Sequence, residues 1–386
     1  MDRSGAEDGW GCEVMEKTQI SGIQLYLILL GFLFGSSVIL TPALGAGRDA
    51  WLAMILAGVA GILLMWVYTT IALLNPSKTL VEILRDKLGK VIGTILSVLY
   101  IWYFVHLAAL VFRNFGEFIC TTTLVETPVA VVMGLFALVL LYAVNSGVEV
   151  MGRMSELLVI LIPVVAFLIS IALITAHDFT AFLPVLENGL SPVIHAAFVN
   201  LTFPFGEAVA FLMVFPHLNR MDNLKKVVIS STATSSALAI FVFARDLIAL
   251  GSDLIARATF IPHLTSLLIP EFNVVPLVDI NLLVGGGVKI SVCIYAAAKG
   301  LSQVTGTHDY RSFSRAVITF CVVLAVWVYE NTIEMFAWAE KLWPYYSIPF
   351  QFVIPLLLLL LSLRGKNKPS QPNTENTETE SCTSDA

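Results

Sequence analysis

Charged residues are scarce in this chain. Only 13% of its 386 residues are Asp, Glu, Lys or Arg, whereas 57% are hydrophobic. A soluble protein carries about 25% charged residues, so this composition excludes an ordinary soluble domain. The net charge of −6 also provides no basic surface of the kind that binds nucleic acid. The sequence therefore indicates a polytopic protein whose surroundings are a lipid bilayer.

Cysteine is also scarce, and the five cysteines form no framework. Cys12 and Cys382 lie in polar tails, while Cys293 and Cys321 lie in apolar stretches. No pair has the spacing of metal ligands. The sequence shows no nucleotide motif and no nucleophile triad, so we expect no enzyme activity, no metal and no cofactor. The first 19 residues are polar and mostly acidic, which is not the pattern of a cleaved signal.

Long apolar stretches dominate the rest of the chain. Ten of them approach the ~20 residues that a membrane-spanning helix needs. They run over 20–44, 51–74, 91–115, 128–145, 154–175, 192–215, 224–250, 277–302, 313–331 and 343–363. We therefore predict a membrane domain at 20–363, a polar N-terminal tail at 1–19 and a disordered C-terminal tail at 364–386. An amphipathic helix at the membrane interface is predicted at 79–90.

Basic residues predict the orientation. If both termini lie on one side of the membrane, 16 of the 22 Lys and Arg residues fall on that side and 5 on the other. The remaining one, Lys289, lies inside the eighth stretch. Because cytoplasmic loops carry the basic excess, we expect both termini in the cytoplasm.

The first span of each half is interrupted. Gly35–Pro42 interrupts the first span, and Thr202–Glu207 (TFPFGE) interrupts the sixth. Interruptions in corresponding spans of opposite direction are typical of inverted-repeat transporters. We therefore predict an all-α fold of ten spans in a five-plus-five inverted repeat, about 20–175 and 192–363, with discontinuous helices 1 and 6. The alternative is a pair of simple proline kinks, which are common in membrane helices.

The predicted ligand site lies at the two interruptions. Its predicted members are Gly35, Ser36, Ser37, Thr41, Tyr103, Thr202, Phe203, Pro204, Gly206 and Glu207. Glu207 would contact a ligand amine or act as a protonatable switch, or it would cap the second half-helix. The small residues at the first interruption would otherwise serve close packing, and Tyr103 aromatic packing. Arg113 and Glu117 have the spacing of an outer ion pair, either a gate or a structural contact.

Several motifs, in order along the chain, carry a resemblance to a known family. They include Leu124–Pro128 (LVETP), Gly147–Val150 (GVEV), Phe203–Glu207 (FPFGE) and Val288–Ser291 (VKIS). With these motifs the chain resembles the spore germination permeases, the integral-membrane B subunits of nutrient germinant receptors. That family belongs to the amino acid–polyamine–organocation superfamily.

The resemblance implies a receptor subunit. Such a protein binds a small germinant, an amino acid or similar nutrient, in the inner membrane of a dormant spore. It works with a larger membrane subunit and a lipoprotein subunit. An amino-acid transporter with alternating access about the same site is the alternative. Lys289 would then occupy the place where related transporters hold sodium, or it would pair with Glu207 or with free carbonyl groups.

Overall fold

Helices account for the regular structure of this chain. The computed structural model describes residues 19–37, 41–174, 178–269, 273–307 and 309–366. Within these ranges the only strand-like pairing is a single parallel bridge between Ile20 and Leu218. The α-helices are α1 (Gly22–Ser37), α2 (Ala50–Leu74), α3 (Leu80–Leu88), α4 (Lys90–Thr122), α5 (Val129–Asn145), α6 (Val148–Leu158), α7 (Leu161–Ala172), α8 (Leu190–Asn200), α9 (Leu224–Leu250), α10 (Ser252–Ile255), α11 (Ile261–Ser266), α12 (Val275–Thr305), α13 (Arg311–Trp327), α14 (Thr332–Lys341), α15 (Trp343–Ile348) and α16 (Ile354–Lys366).

Membrane-crossing helices make up most of this set. In the described part of the chain, seven helical segments are long and apolar enough to cross a bilayer, and some of them join adjacent helices, such as Val148–Ala172 with α6 and α7. Gly22–Gly35 and Val129–Asn145 are shorter apolar helices. Large apolar side chains such as Leu63, Leu135 and Leu138 are more than 60% exposed on them. Apolar surface of this extent, on helices of this length, is typical of contact with lipid. The protein is therefore a multi-pass membrane protein, whereas ten crossings and an inverted repeat stay predictions.

Prolines explain where the helices differ from the predicted stretches. The fifth stretch, predicted at 154–175, begins earlier as α6 and is interrupted before α7, where Pro163 has no N–H to donate to Val159. The tenth is also divided, which the sequence analysis did not predict. Between α15 and α16 the helix widens over Pro349–Val353, so that the Ile354 N–H donates to the Pro349 carbonyl.

The first predicted span does not continue as one helix to residue 44. Helix α1 ends at Ser37, residues 38–40 lie outside the described ranges, and Pro42–Asp49 form a tighter 3-10 helix. Gly47 has a φ of +59°, a conformation that favours glycine. This tight segment leads directly into α2.

The sixth predicted span is interrupted where the sequence indicated. After α8 the chain widens over Leu201–Phe205, and Phe203 has extended backbone angles of −136° and 108°. A 3-10 helix follows at Gly206–Met213. Pro204 has no N–H for the preceding turn, which explains the local departure from α-helix.

Helix α12 occupies the centre of the bundle, packed against α1, α4, α5 and α13. It crosses α1 with glycine against glycine. A Cβ atom added at Gly285 would lie 2.3 Å from the Gly35 Cα, so the two backbones are nearly in contact. Close crossing at small residues is the usual packing mode of membrane helices. It brings the side chain of Lys289, one turn further along α12, to the interrupted sixth span.

The amphipathic helix predicted at 79–90 is present as α3. Its first turn is fixed by a capping box, in which the Glu82 N–H donates to the Thr79 hydroxyl and the Thr79 N–H donates to the Glu82 carboxylate. Leu80, Ile83 and Leu84 bury its apolar face. Helix α3 lies against α4, and its last turn carries Arg85 and Lys87.

Candidate functional site

A buried ion pair lies at the interruption of the sixth span. The Lys289 ammonium donates to Glu207 Oε2, and both side chains are 0% exposed. The Lys289 Nζ also lies 4.3 Å from the centre of the Phe203 ring and 5.2 Å from that of Phe32. A lone charge is very costly at this depth, so the two residues neutralise each other. The structure thus pairs Lys289 with Glu207.

Carbonyl groups released by the interruption are held by side chains from other helices. Gln351 Nε2 donates to the Thr202 carbonyl at 2.9 Å and to the Tyr103 hydroxyl at 2.8 Å. The Tyr68 hydroxyl lies 3.1 Å from the Gly206 carbonyl and 2.8 Å from the Gln351 carbonyl. Irregular backbone at membrane depth persists where protein groups satisfy it in this way.

Gln351, Tyr68 and Trp343 were missed by the sequence analysis. Of the three, Gln351 could have been found from the sequence, since it is an amide in an apolar stretch, two residues after Pro349. Its position beside the sixth span depends on tertiary packing between segments about 150 residues apart, which no local pattern predicts.

Three polar atoms near the ion pair have no hydrogen-bond partner among the described residues: Glu207 Oε1, Gln351 Oε1 and Trp343 Nε1. Tyr103 connects them. Its hydroxyl accepts from Gln351, its ring stacks on Trp343 at 5.5 Å, and its phenol lies within electrostatic range of Glu207. Trp343 is also a polar neighbour of Glu207, although its N–H makes no hydrogen bond of good geometry. Two acceptors and one donor therefore make no hydrogen bond of good geometry within the described ranges.

The structure brings together Tyr103, Lys289 and the predicted residues of the sixth span. The Thr202 hydroxyl donates to the Val199 carbonyl, so only its carbonyl group is directed to Gln351. Pro204 is buried and lines a small cavity with Phe205. Gly206 leaves room for Gln351, whose Oε1 would lie 1.9 Å from an added Cβ.

For two of the residues predicted at the first interruption, Gly35 and Thr41, the described contacts lie outside the group of side chains around Glu207. Gly35 packs on the backbone of Gly285. This contact corresponds to helix packing, which was the alternative to ligand contact for this residue. Ser36 and Ser37 end α1, but their side chains lie outside the described set. Thr41 is half-buried, and its carbonyl accepts from the Leu44 N–H at 3.1 Å.

Arg113 and Glu117 form an ion pair elsewhere in the protein. The Arg113 Nε donates to Glu117 at 2.7 Å, and its Nη1 donates to the Ala325 carbonyl at 3.2 Å. The pair joins α4 to the end of α13. It lies outside the group of residues around Glu207.

Solved structures of transporters share this fold. A nucleobase-cation-symport-1 family transporter, Mhp1, aligns with a TM-score of 0.63 and 10% identity, covering 89% of this chain and 78% of its own. A Na⁺-coupled sialic acid symporter aligns at 0.66 and 10%, covering 90% and 89%. MhsT in complex with L-phenylalanine aligns at 0.61 and 12%, covering 90% and 99%. At these identities the likeness establishes the fold alone, which is that of these transporters.

The family follows from sequence comparison. A family model described as "Spore germination protein" matches residues 19–335. Spore germination protein KB of Bacillus subtilis (strain 168) is 32% identical over 375 residues, covering 94% of this chain and 99% of that protein. Spore germination protein XB of Bacillus anthracis is 22% identical over 372 residues, covering 90% and 99%. The chain belongs to the spore germination protein family, and the predicted resemblance is confirmed.

Proposed function

We propose that this protein is a subunit of a nutrient germinant receptor in the spore inner membrane. It binds a small germinant, an amino acid, at the interruption of the sixth span. Binding is passed to a larger membrane subunit and a lipoprotein subunit, and germination follows. Membership of the spore germination family supports the process, and the transporter fold supports a site near the middle of the membrane.

The observation that carries the proposal is the buried Glu207–Lys289 pair beside irregular backbone. An amino acid brings one positive and one negative group. Its ammonium group can take the place of Lys289 at Glu207, while its carboxylate receives Lys289. Every buried charge keeps a partner throughout this exchange, which removes the main penalty for opening such a pair. The unpartnered Glu207 Oε1 and Gln351 Oε1 provide further acceptors for the ammonium group.

The same exchange provides a signal. Glu207 belongs to the sixth span and Lys289 to α12, so their contact ties two elements 82 residues apart in the chain. A ligand that binds better when this tie is open shifts the protein toward that arrangement. Partner subunits can respond to such a change without transport of the ligand.

The test is a germination assay on spores that carry neutralised pairs. Glu207→Gln with Lys289→Met keeps the shape of the pair and removes both charges. We expect it to lose response to each of twenty L-amino acids supplied singly, with normal protein level in the membrane. The matched control neutralises a second buried pair with Arg245→Met and Asp246→Asn, which should retain the response.

The single change Glu207→Gln should alter germinant sensitivity while the receptor complex stays assembled. Wild-type sensitivity in both the single and the double Glu207 variants would contradict a binding role for this site. A receptor that fails to assemble in the control as well would instead identify a general requirement for buried ion pairs.

A transporter is the second candidate, because the fold is shared with symporters. It predicts accumulation of a radiolabelled amino acid in vesicles that contain this protein alone. The receptor proposal predicts saturable binding there without accumulation.

A further inference from the structure

Unpartnered polar atoms are concentrated in one region of this protein. Seven buried polar atoms in the described ranges have no hydrogen-bond partner, and Trp51 Nε1 is the one that lies apart. The other six are Glu207 Oε1, Gln351 Oε1, Trp343 Nε1, His106 Nδ1, Tyr346 OH and Tyr329 OH. Among them, Trp343 Nε1 lies near Glu207 and Tyr346 OH lies near Trp102, in both cases without a hydrogen bond of good geometry. Each such group costs about 1–3 kcal/mol when nothing satisfies it. Their grouping marks a place built to contact something polar.

An aromatic cluster holds four of these atoms. We define it as His106, Tyr329, Trp338, Trp343 and Tyr346, from α4, the end of α13, α14 and α15. The His106 ring lies 5.0 Å from Trp338, 5.4 Å from Tyr346 and 6.0 Å from Trp343, between ring centres. Tyr329 lies 6.0 Å from Trp338. The rings contact one another, so a ligand has to part them to reach the polar atoms.

The cluster is continuous with the ion-pair site on one side. Trp343 stacks on Tyr103, whose hydroxyl accepts from Gln351, and Trp343 is also a neighbour of Glu207. On the other side the cluster lies near the exposed carboxylate of Glu334. Glu334 acts electrostatically on the Tyr329 phenol, and the Glu330 N–H donates to the Glu334 carboxylate at 2.9 Å.

We propose that the aromatic cluster is a second binding site, specific for the ammonium group of an amine-bearing ligand, which then passes to Glu207. This inference rests on the proposed function for the identity of the final site. Aromatic ring faces attract cations, and phenol and imidazole groups offer acceptors for the N–H bonds. The exposed carboxylates raise the local concentration of cations. Of the basic groups nearby, Arg113 is paired with Glu117, and Lys341 is exposed at the end of α14.

A labelling experiment tests the cation preference without knowledge of the germinant. In a background where Cys12, Cys120, Cys293, Cys321 and Cys382 are replaced by Ser, Tyr346→Cys is treated with cationic 2-aminoethyl methanethiosulfonate or its anionic 2-sulfonatoethyl counterpart. Each rate is divided by that of the same reagent with 2-mercaptoethanol. The matched control is Leu342→Cys, an exposed position directly before α15.

We expect the cationic reagent to be favoured at Tyr346→Cys by about tenfold more than at Leu342→Cys, because carboxylates and ring faces concentrate cations. Equal preference at the two positions would overturn the proposal, whether or not Glu207 proves to be the germinant site.

Germination assays provide the second readout. Tyr329→Phe and Tyr346→Phe each remove a phenol hydroxyl that can accept from an ammonium group, and each keeps an aromatic ring. We expect unchanged or higher thermal stability, together with an approximately tenfold higher concentration of the effective L-amino acid for half-maximal response, as loss of one polar contact predicts. The matched control, Trp51→Phe, removes the distant unpartnered N–H and should leave sensitivity unchanged. Normal sensitivity in both cluster variants, with loss in Glu207→Gln, would reject the cluster as a site and leave the proposed function standing.

Discussion

Two buried ion pairs of this protein differ in what they connect. Arg245 and Asp246 are neighbours on α9, with Arg245 donating to Asp246 at 2.6 Å and side-chain exposures of 4% and 2%. Glu207 and Lys289 are equally buried, but they belong to different elements, the interrupted sixth span and α12. Both partners of the first pair lie on one helix, although Arg245 Nη1 also donates to the Ala166 carbonyl of α7 at 3.4 Å. The second pair breaks whenever those two elements separate.

The signalling role proposed above therefore fits only the pair that joins two elements. A local pair makes the same contact in every arrangement of the helices, so it cannot distinguish between them. A pair that joins two elements contributes to the stability of one arrangement and is lost in the other. Buried ion pairs are weak evidence for stability in themselves. The role proposed for Glu207 and Lys289 rests instead on their position in two different elements.

Removal of one charge from the long-range pair should have the largest effect. Lys289→Met leaves the Glu207 carboxylate buried without a cation, which we expect to destabilise the protein by about 3–5 kcal/mol. The measurement is thermal unfolding of the purified protein in detergent. Addition of Glu207→Gln should recover most of the loss, because no uncompensated charge then remains in the core.

The same changes in the Arg245–Asp246 pair of α9 show whether the effects on stability and germinant response come from burial of the charges or from their position in two elements. Arg245→Met should destabilise the protein by a similar amount, since this pair is buried to a similar degree. Addition of Asp246→Asn to that variant should restore the stability. Only the Glu207–Lys289 variants should change germinant response. If both neutral double variants changed it alike, the distinction between local and long-range pairs would be wrong.

Close packing around the long-range pair provides the next test. A Cβ at Gly285 would meet the Gly35 backbone at 2.3 Å, whereas at Gly286 the nearest atom, on Val111, lies 4.0 Å away. Gly285→Ala should therefore push α12 away from α1 and weaken the Lys289 contact, at a cost of about 1–3 kcal/mol. Gly286→Ala, on the next residue, should be close to neutral. Thermal unfolding of the two variants measures the difference, and equal midpoints would contradict the observed crossing.

Local sequence signals account for the helices and for the interruption of the sixth span, but the widened turn in the tenth stretch was not predicted. Apolar length predicted the spans, and Pro204, Gly206 and Glu207 marked the sixth as irregular. The widened turn at Pro349–Val353 was missed, although Pro349 and Gln351 stand in an apolar stretch there. A proline and a polar residue within three positions were the available signal, the same one that was used at 202–207.

Membership of the site was only partly predictable. Glu207 and Lys289 could be identified as buried charges because a membrane span makes any charge conspicuous. Gln351, Tyr68 and Trp343 carry no charge, and their roles come from contacts between distant segments. Gly35 shows the opposite case. A small residue at an interruption fits ligand contact and helix packing equally well, and its position against Gly285 could only be seen in three dimensions.

Disruption of an exposed ion pair should have the smallest effect on stability, and it compares a surface pair with the two buried pairs. The Lys78 ammonium lies 3.0 Å from Asp86, and both side chains are about 45% exposed. The hydrogen bond from Lys78 lowers the pKa of Asp86 below its usual range, with Lys87 adding to the effect. A lowered pKa stabilises the fold above the ordinary Asp value of about 3.9, and this stabilisation is lost as pH falls through the lowered value.

Asp86→Asn should therefore reduce stability at pH 7 by less than about 1 kcal/mol, because water and salt screen the pair. The difference from wild type should shrink at high ionic strength and disappear at a pH well below the lowered pKa, where Asp86 is protonated. Thermal unfolding at pH 7 and in acid, each at low and high salt, measures both trends. A loss as large as that of Lys289→Met would mean that exposure does not separate the two pairs, and that their contacts with neighbouring helices decide their contribution instead.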